Sequence, residues 1–256
     1  MLSFPGFFLE TPIYIYLKSI NLYFVSMKVQ HVHLGVTYFK DAWEIQKVLH
    51  GNRIKNRTGD IILTTEHHPV YTLGKTGERD HLLLNEKSLA ERKIDYFEID
   101  RGGDITYHGP GQIVLYPIFD LNNFYKDTHR FLRDLEETVI ITLENYGITG
   151  HREEEFTGVW VGDEKICAIG IKVSRWVTMH GLAFNINNDL TYFDSIIPCG
   201  IFHKGITSIK KILGFEVDIA EINKLLMENM GKVFGIGIEE VSEDEFMKNF
   251  HHFSLT

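Results

Sequence analysis

Cysteine, positive charge and long apolar runs are all scarce in this chain of 256 residues. The two cysteines, Cys167 and Cys199, are too few for a disulfide framework and are typical of a protein kept in a reducing cytoplasm. Lysine and arginine together number 26 against 35 aspartates and glutamates, which gives a formal net charge of −9. Because binding to nucleic-acid phosphates needs an excess of Lys and Arg, we predict that the protein does not bind nucleic acid. The low cysteine count predicts that it is cytoplasmic.

The N-terminal segment, residues 1–26, is apolar and aromatic, but it lacks an unbroken apolar run of the roughly 18 residues that a membrane helix needs. Two prolines and two charged residues interrupt it: Pro5, Glu10, Pro12 and Lys18. The early positive charge and small-residue cleavage site of a signal peptide do not stand out either. Met27 follows, so we predict that residues 1–26 are an extension upstream of the true start and that residues 27–256 form one domain without membrane contact.

Motifs for metals and for nucleotide phosphates are also missing. None of the 13 histidines shows His-x-x-x-His spacing and no Cys-x-x-Cys occurs, so we predict no metal site. Gly74-Lys75-Thr76 is similar to the end of a phosphate-binding loop, but Pro69 stands where that loop needs its leading glycine.

The apolar pattern places strands in the middle of the chain and helices before, between and after them. Strand patterns cover residues 29–38, 61–65, 96–99, 113–121, 158–161, 165–173 and 178–186, and helical patterns cover 40–50, 128–146, 219–234 and a short segment after Ser242. The clearest helix begins at Asp127 or Thr128 and carries apolar residues four apart: Phe131, Leu135, Val139 and Leu143. The pattern predicts an α+β single domain with a largely antiparallel or mixed sheet and flanking helices.

The most informative segment that is present runs from Arg101 to Gln112 and reads RGGDITYHGPGQ. Its four glycines and one proline make a helix improbable and let the backbone approach a ligand closely. Strand patterns flank the segment on both sides, and a loop carried on strands is a favourable place for a binding site. We therefore predict a ligand-binding loop here, in which His108 is a general base, a metal ligand or a hydrogen-bonding strut.

The residues themselves leave the roles of both cysteines open. Cys199 lies in an irregular stretch between Pro198 and Gly200, which fits either a nucleophile on a loop or a buried structural thiol. Cys167 lies inside a strand pattern, which favours a small core residue. A cysteine nucleophile must be ionised, and a neighbouring cation lowers its pKa. Lys165 begins an apolar strand after a tight turn, so it is either that cation or a solvated hairpin lysine.

Several segments together resemble one enzyme family, the octanoyl-(acyl carrier protein):protein N-octanoyltransferases. Its signature R-G-G-x-x-T-aromatic-H-x-P-G-Q is complete in the glycine-rich loop, and the resemblance extends from about Met27 to Phe234. Further matching segments are GVWV followed by KICAIG (residues 158–170), HGLAFN (180–185), PCG (198–200) and GITS (205–208).

The resemblance implies the catalytic core of biotin and lipoate protein ligases, with Cys199 as nucleophile and Lys165 as its partner. It implies an acyl-substrate site made by three segments: Arg101, Gly102, Gly103, Asp104, Ile105, Thr106, Tyr107 and His108; Ala168, Ile169 and Gly170; and Gly181, Leu182 and Ala183. Backbone N–H groups of Gly102 and Gly103 would suit an oxyanion site. The implied donor is octanoyl-acyl carrier protein, and the implied acceptors are lipoyl domains of 2-oxoacid dehydrogenases and the glycine-cleavage carrier protein. No ATP, metal or other cofactor is implied, and we expect a monomer.

Two other classes of protein stay open. An ATP-dependent lipoate or biotin ligase would share the fold, whereas a non-catalytic acyl- or carrier-binding protein would use Cys199 and Lys165 only structurally. Arg101 could brace the glycine-rich loop instead of binding substrate. Three lysines near Cys199 could steer an acidic carrier protein or could be ordinary surface residues: Lys204, Lys210 and Lys211.

Overall fold

The computed structural model describes residues 27–197 and 205–254. The strands are β1 (Lys28–Thr37), β2 (Ile61–His67), β3 (Val70–Leu73), β4 (Asp95–Glu98), β5 (Thr106–His108), β6 (Gln112–Ile118), β7 (Gly158–Val161), β8 (Glu164–Ser174), β9 (Val177–Asn185), β10 (Gly205–Ile206) and β11 (Gly237–Val241). The helices are α1 (Phe39–Ile54), α2 (Glu86–Arg92), α3 (Thr128–Glu144), α4 (Ile209–Leu213), α5 (Ile219–Phe234) and α6 (Glu243–Ser254). The predicted extension, residues 1–26, lies outside the described residues, as do Cys199 and Lys204.

The main sheet is mixed, as the sequence predicts. Its strand order is β10-β8-β9-β6-β2-β1-β11, with β7 also paired to β8. The centre and the β7-β8-β9 hairpins are antiparallel, whereas β1 lies parallel to both β2 and β11. A small second sheet, in the order β4-β3-β5, contains residues 106–108 of the glycine-rich segment.

Helices cover both faces of the main sheet because side chains alternate along its strands. On β6, Ile113 and Leu115 face the core formed with α3 and α5. Val114 and Tyr116 face the core formed with α1 and α6. The central strands are therefore buried on both faces.

Helix α3 forms as the sequence predicts. Its four apolar residues, spaced four apart, are all fully buried. The Asp127 side chain accepts a hydrogen bond from the Arg130 N–H at 3.0 Å and so caps the first turn. Strand β8, which follows, is held against α3 through this apolar stripe.

Some elements differ from the sequence expectations. Helix α1 continues through Gly51 to Ile54. The predicted elements contain no counterpart of β3, β5, β10, β11, α2 and α4. Within the described ranges, no helix has the length and apolar character needed to cross a bilayer.

Candidate active site

The glycine-rich loop (residues 101–112) crosses over β8 at very short range. The Gly102 N–H donates to the Ile171 carbonyl at 2.9 Å. A Cβ atom at Gly170 would lie only 2.6 Å from the Gly102 carbonyl oxygen, so a larger residue would push the loop away. Gly170 pairs directly with Gly181 on β9, where a Cβ would collide with the Leu115 carbonyl. Gly170 therefore allows the loop to lie close to the sheet, and Gly181 allows β9 to lie close to β6.

A cavity of about 330 Å³ lies between this loop and strands β6, β8 and β9. We call it the acyl cavity, after the acyl-substrate site that the motif resemblance implies. Its lining includes Lys165 and almost every residue predicted for the substrate site: Arg101, Gly102, Gly103, Asp104, Ile105, Thr106, His108, Ala168, Ile169, Gly170, Gly181, Leu182 and Ala183. The Tyr107 ring instead packs between Tyr71 and Tyr192, at centroid distances of 5.5 and 4.5 Å.

The other residues that line the cavity were not predicted as site residues from the sequence. These residues include the apolar Phe39, Ile99, Val114, Leu132, Phe156, Ile171, Phe193 and Ile206 and the polar Gln112, Tyr116, Glu155, Thr157, His180 and Asn185. Many come from elements far apart in sequence, such as α1, α3 and β10.

Arg101 braces the loop, which was the alternative to substrate binding. It is 8% exposed, and its Nη2 donates to the Thr72 carbonyl at 2.7 Å and to Thr72 Oγ1 at 3.1 Å. Its Nη1 donates to the Gly102 carbonyl at 3.0 Å. The guanidinium thus ties the first turn of the loop to β3.

The predicted role of the Gly102 N–H in an oxyanion site is wrong. The Gly102 N–H is already donated to the Ile171 carbonyl, so it cannot also bind a developing oxyanion. A role for the Gly103 N–H stays a prediction.

Asp104 anchors the middle of the loop. Its Oδ1 accepts the Ile105 N–H, and its Oδ2 lies 2.6 Å from His81 Nδ1. His81 also belongs to a group of three possible metal ligands with Glu78 and Asp80, both of which are exposed.

His108 acts as a strut within the loop. Its Nδ1 lies 2.9 Å from Gln112 Oε1 and its Nε2 lies 3.3 Å from Thr72 Oγ1, so the neutral ring donates to the amide and accepts from the hydroxyl. Burial lowers the pKa of His108 well below its usual value, which keeps the ring neutral. Of the three roles left open by the sequence, these contacts favour the strut.

A chain of hydrogen bonds runs from this loop to Lys165. Gln112 Nε2 donates to Asn185 Oδ1 at 2.9 Å, and Asn185 Nδ2 donates to the Thr207 carbonyl at 3.0 Å. The Thr207 N–H in turn donates to the Lys165 carbonyl at 3.0 Å. The chain joins segments that are distant in sequence and fixes where β10 meets β8.

Lys165 is half-buried at the start of β8 and lines the cavity. Its Nζ donates to the Thr157 carbonyl at 3.3 Å and lies 4.7 Å from the centre of the Trp160 ring. Ile206 on β10 pairs with Lys165. Strand β10, which begins six residues after Cys199 in the chain, therefore lies directly beside this lysine.

Cys167 is a core residue, as its strand position predicts. It is fully buried in the cluster that joins the sheet to α3 and α5. Burial raises the pKa of the Cys167 thiol far above its ordinary value. A thiol in these surroundings is a poor nucleophile, because the thiolate is the reactive form.

A histidine–carboxylate pair lies further along the cavity wall and was given no role from sequence. His180 is 2% exposed, and its Nε2 lies 2.9 Å from Asp100 Oδ1. Lys172 Nζ donates to Asp100 Oδ2 at 2.5 Å. The hydrogen bond from His180, together with Lys172, holds the pKa of Asp100 well below its usual value, while burial lowers the pKa of His180. His180 also adopts a φ of 61°, which is unusual for a residue other than glycine.

The two described lysines of the expected basic patch are engaged in surface ion pairs. Lys210 lies 2.8 Å from Glu216, and Lys211 lies 2.6 Å from Glu164. These pairs reduce the excess positive charge that would attract an acidic partner.

The fold is that of the lipoate and biotin protein ligases. It matches the bipartite lipoate protein ligase of Thermoplasma acidophilum with a TM-score of 0.68 at 14% identity, over 89% of this chain and 92% of that chain. It matches the biotin protein ligase from Aquifex aeolicus in complex with biotin and ATP with a TM-score of 0.52 at 13% identity, over 80% of this chain and 70% of that chain. The fold class predicted from the sequence is therefore confirmed.

Sequence comparison narrows the assignment. Residues 39–231 match the model of the lipoyl protein ligase A/B catalytic domain. The octanoyltransferase of Flavobacterium johnsoniae is 48% identical over 227 residues, which are 82% of this chain and 98% of that protein. The octanoyltransferase of Cytophaga hutchinsonii is 43% identical over 228 residues, which are 82% of this chain and 93% of that protein.

The protein is thus a member of the lipoyl protein ligase A/B catalytic-domain family. Within that family the chain belongs to the octanoyltransferases, which makes it an acyltransferase and confirms the resemblance seen in its motifs.

Proposed function

We propose that this protein transfers an octanoyl group from octanoyl-acyl carrier protein to a lysine amine of a lipoyl domain, through a thioester on Cys199. The observation that carries the proposal is the position of Lys165. Lys165 lines a cavity walled by apolar side chains and glycine backbone, and it pairs with β10, which begins six residues after Cys199 in the chain. The acceptors are lipoyl domains of 2-oxoacid dehydrogenases or the glycine-cleavage carrier protein, and the reaction takes place in the cytoplasm.

The first half of the reaction forms the acyl-enzyme. Neutral Lys165 accepts the Cys199 thiol proton, and the thiolate attacks the thioester carbonyl. The bond to the phosphopantetheine sulfur then breaks, and that sulfur leaves as a thiol after taking the proton from Lys165. The positive charge on Lys165 stabilises the thiolate while it exists.

The second half releases the product. The lysine of the lipoyl domain attacks the Cys199 thioester as a neutral amine, and its excess proton passes through Lys165 to the departing Cys199 thiolate. An amide forms, the carbon–sulfur bond breaks, and the free enzyme is restored. The thioester already supplies the activation, so the proposal requires no ATP, metal or other cofactor.

The acyl chain occupies the acyl cavity. Ala168, Ile169 and Leu182 supply apolar contact, and the neighbouring glycines leave room for a chain against the sheet. Such a cavity suits a medium-length fatty acyl group because apolar side chains and glycine backbone form much of its wall.

Intact mass spectrometry after incubation with octanoyl-acyl carrier protein, without ATP, tests the proposal. We expect a mass gain of one octanoyl group that hydroxylamine removes and that Cys199→Ala abolishes. Transfer that appears only with free octanoate and ATP would instead indicate a ligase. No adduct and no transfer under either condition would indicate an acyl-binding protein.

A further inference from the structure

A carboxylate with no assigned role is buried behind Lys165. Glu136 lies on α3 and is fully buried. Its Oε2 accepts hydrogen bonds from Arg133 Nη1 at 2.8 Å and Arg152 Nε at 3.1 Å. Its Oε1 accepts the Gly158 N–H at 3.0 Å. A carboxylate is costly to bury unless it is paired and hydrogen-bonded, and both of its oxygens are satisfied here.

The peptide that Glu136 binds is the one that holds Lys165. The N–H of the Thr157–Gly158 peptide donates to Glu136, while the carbonyl of the same peptide accepts from Lys165 Nζ at 3.3 Å. The N–H and C=O of a trans peptide point in opposite directions, so fixing one group fixes the other.

This peptide needs such an anchor because it precedes a glycine. Gly158 has a φ of 133°, and a Cβ there would lie 2.5 Å from the Cys167 carbonyl oxygen. Only glycine fits, yet glycine also lets the adjoining peptide rotate with little resistance. A fixed acceptor on the N–H side removes that freedom.

We infer that Glu136 is a positioning residue for Lys165, which acts by orienting the Thr157–Gly158 peptide so that its carbonyl holds the lysine amine at the acyl cavity. The inference rests on the proposed role of Lys165. A purely structural Glu136 would only attach β7 to α3, and its loss would then lower stability without changing the chemistry.

Three variants separate these roles. Glu136→Gln keeps an oxygen for the Gly158 N–H and removes the charge, Glu136→Asp keeps the charge and draws the oxygen back, and Glu136→Leu removes the acceptor. Glu137→Gln is the matched control, because Glu137 is the next residue on α3 and pairs with Arg152. The arginines are 42% and 33% exposed, so both can turn to water when their partner is lost.

The readouts are the kcat for octanoyl transfer and its pH profile. We expect Glu136→Gln and the control to retain kcat within about threefold, and Glu136→Asp and Glu136→Leu to lose about tenfold or more, because small displacements of a reacting group are costly. Loss of the carbonyl contact disfavours the charged amine, so the limb of the profile that reports Lys165 shifts to lower pH in Glu136→Leu.

A kcat and pH profile like those of the unmodified protein in both Glu136→Asp and Glu136→Leu would overturn the inference, whatever their melting temperatures. If Glu136→Leu does not fold, Glu136→Asp decides alone. The octanoyl adduct on the unmodified protein keeps the two proposals apart. Its absence contradicts the proposed function, whereas its formation at equal rates in all variants contradicts only the role of Glu136.

Discussion

The two ends of the acyl cavity use their charged groups differently. At the lysine end, formed by Lys165, Thr157 and Ile206, the amine rests on a backbone carbonyl and is half-buried. At the histidine end, formed by His180 and Ile171, the buried ring binds the Asp100 carboxylate directly. Lys165 and Ile171 are six residues apart on β8, which corresponds to about 20 Å of strand.

The difference indicates that the two ends have different roles. The Lys165 amine donates to a neutral backbone carbonyl and lies beside the Trp160 ring. The ring of His180, in contrast, is fixed by a strong hydrogen bond to a charged partner. Under the mechanism proposed above, the lysine end transfers protons and the histidine end maintains the shape of the cavity.

Removing Lys165 should have the largest effect. Lys165→Ala eliminates the proposed proton acceptor, so we expect kcat for octanoyl transfer to fall by about 10²- to 10⁴-fold. Lys172→Ala is the matched control, because Lys172 lies on the same strand at the histidine end. Equal losses of kcat in the two variants, measured by transfer to a lipoyl domain, would refute the division between the ends.

Gly158→Ala should come next, through the backbone that supports the lysine end. The φ of 133° and the predicted contact of 2.5 Å with the Cys167 carbonyl make alanine strained here, so we expect a loss of about 2 kcal/mol or more in the free energy of unfolding. Gly162→Ala is the control: it also has a positive φ, 57°, but a Cβ there meets no atom within 4 Å. We expect it to cost about 1 kcal/mol. Urea unfolding of both variants measures the difference, and equal losses would contradict the close approach.

The sequence predicted the elements whose periodicity matches their burial. Helix α3 has its apolar residues every fourth position, and all of them are buried. Strand β11 was missed because it lies at the sheet edge and carries the exposed Glu239 and Glu240, so its pattern is not apolar. Helix α2 was missed because only Leu89 of its seven residues is buried.

The sequence predicted those parts of the site that local composition or a motif marks. Glycines marked the loop, and the motif resemblance marked Lys165, but neither indicated Glu136. An acidic residue beside Leu135 on an amphipathic helix normally faces solvent. Its burial depends on Arg152, which approaches from 16 residues further along the chain, and on the Gly158 N–H. Contacts of this kind leave no periodic signal.

Asp100→Asn tests the histidine end, where we expect a smaller effect on turnover and a clear effect on stability. The pKa of Asp100 is lower in the folded protein than in the unfolded chain, because His180 and Lys172 favour the carboxylate. Its contribution to stability is therefore present above the unfolded pKa of about 4 and is lost as pH falls through the lower, folded value. Urea unfolding of both proteins from pH 7 to pH 3 should show a difference that shrinks only below about pH 4. A difference that does not depend on pH would contradict the ionic role of Asp100.

Cys167→Ala should have the smallest effect, because Cys167 lies on β8 near Lys165 yet belongs to the core. Removing one buried sulfur leaves a small void, so we expect a loss of about 1 kcal/mol in the free energy of unfolding. The octanoyl adduct should still form at a rate within about threefold of the unmodified protein, since a thiol with a raised pKa contributes little thiolate. Intact mass spectrometry with octanoyl-acyl carrier protein measures the adduct. An adduct that disappears in Cys167→Ala but persists in Cys199→Ala would move the nucleophile to Cys167 and place the chemistry inside the core, against the assignment of proton transfer to the lysine end.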